Sequence, residues 1–227
     1  MKYLIIGLGN FGSTLAINLT EMGHEVIAVD KDMNKVNNFK DRITHTICLD
    51  AGSKTAMSTL PIKEIDYVIV GIGEDFGASV LSTALLKQLK AKRIISRAIS
   101  DLHQTVIEAI SVDDIIRPEE ESAERLAIRL STKGVVDYFR ISTDYSIIEV
   151  NLPDFYIGKT VRESELREHF NINILTILRN KERINIIGNK HTESEVIGVV
   201  GPNTTFNEGD IVVLFGKMKD INRFIEE

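Results

Sequence analysis

Apolar residues in the first half of the chain come in short blocks: KYLII, EVIAVD, THTICLD, IDYVIVGIG, AKRIISRAI and VDDIIRP. Most are rich in valine and isoleucine and all are too short for a stable helix, so each reads as a buried strand. Between them the pattern changes. The stretch after KYLII is amphipathic, and in ASVLSTALLKQL and DLHQTVIEAI apolar residues recur every three or four positions, the spacing of one helix face. Strand and helix alternating in this way predict a parallel sheet covered on both sides, with six strands complete by Ile116.

Beyond Pro118 the texture differs. PEEESAERLAIRLSTKGVVDYF reads as a charged helix that proline starts well, a break at Gly134, and a second short helix. From about Ile141 the blocks DYSIIEVNL, INILTILRN, RINIIGN, EVIGVVGP and DIVVLFGK predict short strands, and MKDINRFIEE a terminal helix. The acidic stretch in GPNTTFNEGDIVVLFG reads as a hairpin turn. The expected organisation is an α/β domain over 1–117, crossover helices over 118–140, and a small α+β domain over 141–227.

The candidate chemistry sits at the first strand-to-helix junction. Residues 2–30 run strand, G-x-G-x-x-G turn (Gly7, Gly9, Gly12), helix, second strand, and an acid, Asp30, closing that strand. This is the dinucleotide-binding fingerprint of a Rossmann-like sheet, in its structural context. Gly7 makes the tight turn, Gly9 lets backbone N–H groups approach a pyrophosphate, and Gly12 lets the helix pack on the strand. Asp30 is placed to accept hydrogen bonds from ribose hydroxyls. Other strand ends facing the same crevice contribute Lys31, Asp50, Ala51, the Gly71–Ile72–Gly73 turn and Arg97. Arg97 reads equally as a fork of donors for a terminal phosphate and as a surface ion pair. Glu119 belongs to an acidic run in a helix's first turn, where acids favour the helix dipole in any case.

Composition narrows the function. A formal net charge of −6 leaves no electrostatic footprint for a nucleic-acid partner. No apolar run reaches the ~18 residues that span a bilayer, and no signal-peptide pattern opens the chain, so a cytoplasmic protein is expected. The single cysteine, Cys48, lies in an apolar block and is expected to pack in the core. The five histidines lack metal-ligand spacing. No convergent His, Lys or Tyr set supplies the proton donor a dehydrogenase needs, which favours a sensor over an enzyme and leaves an NAD-dependent oxidoreductase as the alternative.

At this point the residues resemble a family. GLGNFGSTLAINLTEMGHEVIAVD, the LDAG turn at Asp50, DYVIVGIGEDFGASVLSTALLKQL, IISRA, DIIRPEEESAERLA and EGDIVVLFGKMKDINRF resemble, in order and spacing, the cytosolic Trk/Ktr-type regulators of potassium transport, which carry an RCK (KTN) domain followed by a TrkA-C domain. The resemblance implies a regulatory subunit that dimerises through the helices after Pro118, assembles into an octameric ring beneath a membrane cation transporter, and gates it as ATP, ADP or NAD(H) occupies the crevice. A regulator of a different cation antiporter or channel is the neighbouring alternative.

The same resemblance implies individual roles. Gly7, Gly9, Phe11 and Gly12 would cradle phosphates, Asp30 would hold the ribose, Asp50, Ala51 and Gly73 would border the adenosine, and Arg97 would lie near the phosphates. Glu119 would help hold a magnesium, other divalent or sodium ion at the dimer interface. Asn10 departs from the arginine that many Ktr-type members carry there to reach a neighbouring subunit's phosphate. Cyclic di-AMP binds the C-terminal domain of some relatives; Arg167 matches that site, whereas Arg162 stands where an aliphatic residue is expected, so the fit is poorer. Lys31 would tolerate a 2′-phosphate that Asp30 would repel, which disfavours NADP.

Overall fold

The computed structural model describes residues 1–184 and 190–227, and the chain divides into two compact units, Met1–Glu119 and Glu120–Glu227. The first runs β1 (Lys2–Ile6), α1 (Asn10–Glu21), β2 (Glu25–Asp30), α2 (Met33–Phe39), β3 (His45–Cys48), α3 (Lys54–Met57), β4 (Tyr67–Val70), α4 (Phe76–Gln88), β5 (Ile94–Arg97), α5 (Asp101–Ile110) and β6 (Asp114–Ile116). Its six strands lie in the order β3-β2-β1-β4-β5-β6, all parallel.

Leu4, Ile5 and Ile6 are each at most 1% exposed because the sheet is covered on both faces, and the two-residue period of the strand sends them to different cores. Leu4 and Ile6 join Ile27, Val29, Val68, Val70, Leu86 and Ile94 on one side. Ile5 joins Leu8, Ala16, Ile17, Val26, Ala28 and Ile69 on the other. Full burial of such a side chain stabilises by ~1.5–3 kcal/mol, so these alternating stripes hold the first unit together. The strand order reverses at β1, which pairs with β2 on one side and β4 on the other; the crevice therefore opens where β1 and β4 end.

Cys48 departs from expectation. It is exposed, at the carboxyl end of the sheet's edge strand, where β3 has a neighbour on one side only, and its Sγ lies 3.5 Å from the Lys31 carbonyl oxygen.

α6 (Pro118–Ser131) follows, and none of its residues is buried. The second unit continues with β7 (Val135–Arg140), β8 (Tyr145–Asn151), α7 (Leu166–Phe170), β9 (Asn173–Ile184), β10 (Lys190–Val196), β11 (Ile211–Lys217) and α8 (Met218–Ile225). Its strands form an antiparallel sheet in the order β10-β9-β11-β8-β7. Ile148, Val150, Ile177, Val212 and Leu214 of the sheet pack with Phe206 and with Ile221 and Phe224 of α8.

Three expectations for this half are corrected. The second short helix after Gly134 is instead strand β7: Gly134 at φ +83° breaks the helix, and VVDYF is β-branched and aromatic, the composition that fits a pleated surface. EVIGVVGP contributes only Glu195 and Val196 to a strand, because the strand there is the polar KHTESEV. GPNTTFNEGD is not a hairpin turn, since β11 pairs with β8 and β9 and not with β10. That segment instead carries Asp210, fully buried, which accepts from Arg179 Nε at 2.8 Å and from the Asn207 N–H at 2.8 Å. Of the expected strand RINIIGN, Arg183 and Ile184 close β9 and 185–189 lie outside the described residues.

Candidate functional site

The glycines of the first turn have different jobs. Gly7 takes φ +96°, a left-handed conformation that side chains resist, and its N–H donates to the Val29 carbonyl at 2.8 Å, tying the end of β1 to β2. A Cβ at Gly12 would stand 1.9 Å from the Gly7 carbonyl oxygen, so helix α1 meets the turn only if residue 12 has no side chain. Gly9 is the opposite case, because a Cβ there would meet nothing within 4 Å. Gly9 also precedes α1 without a side-chain cap, and the helix has no acid in its first turn. Backbone donors and a positive helix end thus face open space, the arrangement that receives an anion.

Asp30 lies beside this turn and braces it. One carboxylate oxygen accepts from the Leu8 N–H at 2.7 Å and the other from the Asp32 N–H at 2.9 Å. A carboxylate has about four acceptor sites, so capacity for ribose hydroxyls remains. The Lys31 side chain forms an exposed ion pair with Asp75 at 3.5 Å. Asp50 is exposed and accepts from the Gly52 N–H at 2.9 Å, folding the LDAG turn back on itself, while Ala51 is buried beneath it.

At the end of β4, the Gly71 N–H donates to the Ile6 carbonyl at 2.8 Å, which holds the Gly71–Ile72–Gly73 turn against the glycine loop. Arg97, at the end of β5, lies over Gly73: a Cβ there would be 2.5 Å from its guanidinium. The guanidinium carbon is 5.9 Å from the centre of the Phe11 ring, and Nη1 is 3.5 Å from the Gly71 carbonyl. Nε reaches Glu119 at 3.3 Å and Nη2 bonds the second oxygen of the same carboxylate. Arg97 is thus 16% exposed, lies beside the glycine turn and is ion-paired with Glu119, which is the second of its two sequence readings. Asn10, exposed in the first turn of α1, completes the rim.

Contacts thus link Gly7, Gly12 and Asp30 around the first turn, and Phe11, Gly71, Gly73 and Arg97 at the ends of β4 and β5, while Asn10, Lys31 and Asp50 are exposed. Arg167 belongs to the second unit, where its Nε donates to Asn173 Oδ1 at 2.8 Å. It does not line the cleft of about 400 Å³ in that unit, which Phe155, Lys159, Glu163, His169 and Arg223 help to form. Among the described residues there is no group of three or more His, Cys, Asp or Glu side chains that would hold a metal ion, and Glu119 is engaged by Arg97.

Sequence reasoning missed a buried polar seam between α4, β5 and α5. Ser79, Ser82, Thr83, Ser96 and His103 are all fully buried. His103 Nδ1 accepts from the Ile99 N–H at 3.3 Å, its ring packs 4.8 Å from Phe76, and Nε2 is buried without a partner, as is Ser79 Oγ. Burial pulls this imidazole below its usual range. DLHQ carried no signal beyond helix periodicity, because one buried side makes any residue there look like core.

Fold and crevice together define a Rossmann-type ligand-binding domain followed by a smaller α+β domain. Protein-family models match both parts, TrkA-N over residues 3–118 and TrkA-C over 146–227. The chain is 33% identical over 225 residues to Ktr system potassium uptake protein C of Bacillus subtilis, covering 98% of this chain and 95% of that one. It is 34% identical over 226 residues to Ktr system potassium uptake protein A of the same organism, covering 100% and 96%. The chain belongs to this Trk/Ktr family of potassium uptake proteins. Among solved structures it resembles the GsuK channel bound to NAD, with a TM-score of 0.67 at 16% identity, a likeness of fold; the match covers 98% of this chain and 38% of that one.

Proposed function

We propose that the chain is the nucleotide-sensing regulatory subunit of a membrane potassium transporter. The observation that carries this reading is the open floor at Gly9: a glycine whose side-chain space is empty, at an uncapped helix end, with Asp30 and Arg97 on either side, in a chain of the potassium-uptake family. The ligand is an adenine nucleotide, ATP and ADP or NAD(H), with phosphates at Gly7–Gly12, ribose at Asp30, and adenosine bordered by Lys31, Asp50, Ala51, Ile72 and Gly73. Asp30 and Arg97 engage backbone, and Arg97 engages Glu119; in this reading the site senses the ligand, in keeping with the potassium uptake relatives.

No helix among the described residues is long and apolar enough to cross a membrane. In this reading, which the potassium uptake relatives support, a separate membrane subunit translocates the ion and this chain works at its cytoplasmic face. Subunits pair through α6, where Ala123, Leu126, Ala127 and Leu130 share one face by their three- and four-residue spacing, and Leu126 and Leu130 are 49% and 79% exposed. Pairs build the octameric ring. A nucleotide moves such a ring only by binding one of its shapes more tightly, by about 1–3 kcal/mol per coupled site.

Expression in Bacillus subtilis cells lacking potassium uptake proteins A and C tests this. We expect growth at limiting potassium to be restored. Folded, abundant protein that leaves uptake unchanged would overturn the reading.

A further inference from the structure

Arg97 is held from two sides that differ in kind. On the protein side it rests on Gly73, the Gly71 carbonyl and the Phe11 ring, which lie beside the glycine turn. On the other side both oxygens of Glu119, in the first turn of α6, take its fork of donors. The Arg97 side chain is 16% exposed and the Glu119 side chain 63%. Removing Glu119 therefore leaves Arg97 supported in place.

We propose that Glu119 is an internal stand-in for a ligand's terminal phosphate. It occupies Arg97 while the crevice is empty, and a nucleotide is selected by carrying a phosphate able to displace it. This rests on the nucleotide reading above. A carboxylate and a phosphate both accept the two parallel donors of a guanidinium, and a terminal phosphate brings more charge and more acceptor oxygens. The Glu119 carboxylate, largely in water, is screened and easily exchanged. Adenosine has nothing with which to compete. The pair thus sets a threshold for phosphate state, and its exchange releases the first turn of the helix that carries the pairing face.

The test is calorimetric titration of the full-length chain in EDTA with ATP, ADP and adenosine. Glu119→Gln removes the competitor and should tighten ATP by about threefold to tenfold while leaving adenosine unchanged. Glu121→Gln, which removes an equal charge two residues further along α6, should change nothing. In an Arg97→Gln background, adding Glu119→Gln should give no gain. Glu119→Ala is titrated in parallel, and adenosine binding confirms that each variant keeps its fold. Unchanged or weaker ATP binding by both Glu119 variants would overturn the proposal, as would a gain that persists without Arg97 and so marks through-space repulsion. Wild-type chain that binds none of the three ligands would instead remove the nucleotide reading, and this inference with it.

Discussion

Three glycines within six residues look alike in the sequence and separate in the structure. Gly12 is required by packing and Gly9 by nothing in the protein itself. Gly12→Ala should therefore destabilise by about 1–3 kcal/mol or more, because its methyl group meets backbone that has nowhere to go. Gly9→Ala should stay within about 1 kcal/mol of the wild type in urea unfolding yet weaken nucleotide binding at least tenfold, since only a ligand's phosphate needs that space. Equal effects of the two substitutions on unfolding and binding would contradict the division.

His103 makes a prediction of its own at this scale. Burial depresses its proton affinity, so as pH falls the unfolded chain takes up a proton before the folded chain does. The neutral ring's contribution to stability is complete above about pH 6.5 and is lost progressively below it. Protonation would also put a hydrogen on Nδ1, which now accepts from Ile99 two residues beyond Arg97. His103→Asn keeps an acceptor near that position without titrating. Its unfolding midpoint should fall less between pH 7 and pH 5.5 than that of the wild type, and parallel curves would refute the assignment.

At the scale of elements, the two halves of the chain differ in how far their sequences can be read. Strands buried on both faces leave continuous apolar runs, and β1, β2, β4 and β5 were visible for that reason, as were the crevice residues that end them. Half-exposed antiparallel strands leave weaker signals. VVDYF reads as helix beside a charged helical run, and KHTESEV has almost no apolar residue, so its strand state is imposed by pairing with β9. Tertiary partners were also invisible: the pair of half-buried Arg179 with buried Asp210 joins residues 31 apart, and Asp30 bracing Leu8 spans 22. α6 was read correctly from its charge and periodicity, and its exposed apolar face carries a prediction. Leu126→Asp combined with Leu130→Asp places two charges where the pairing face would close. Light scattering should show monomers that keep the wild-type far-UV spectrum, whereas an unchanged oligomer would place the interface elsewhere.

At the scale of the whole molecule, a two-unit chain without a membrane-crossing helix among its described residues belongs to a family of potassium uptake proteins, and linkage is the physics that joins those facts. Ligand binding at strand ends can bias a distant gate only through an element that both touch, and α6 begins two residues after β6 at the edge of the crevice. The claim under all of this is that the crevice holds an adenine nucleotide. It is tested most directly by calorimetric titration of nucleotide-free, full-length protein with ATP, ADP and NADH, with and without magnesium. The account predicts saturable binding, one ligand per chain, that Asp30→Ala weakens for every adenosine ligand alike. Folded protein that gives no saturable heat with any of the three, or binding that survives Asp30→Ala unchanged, would contradict it.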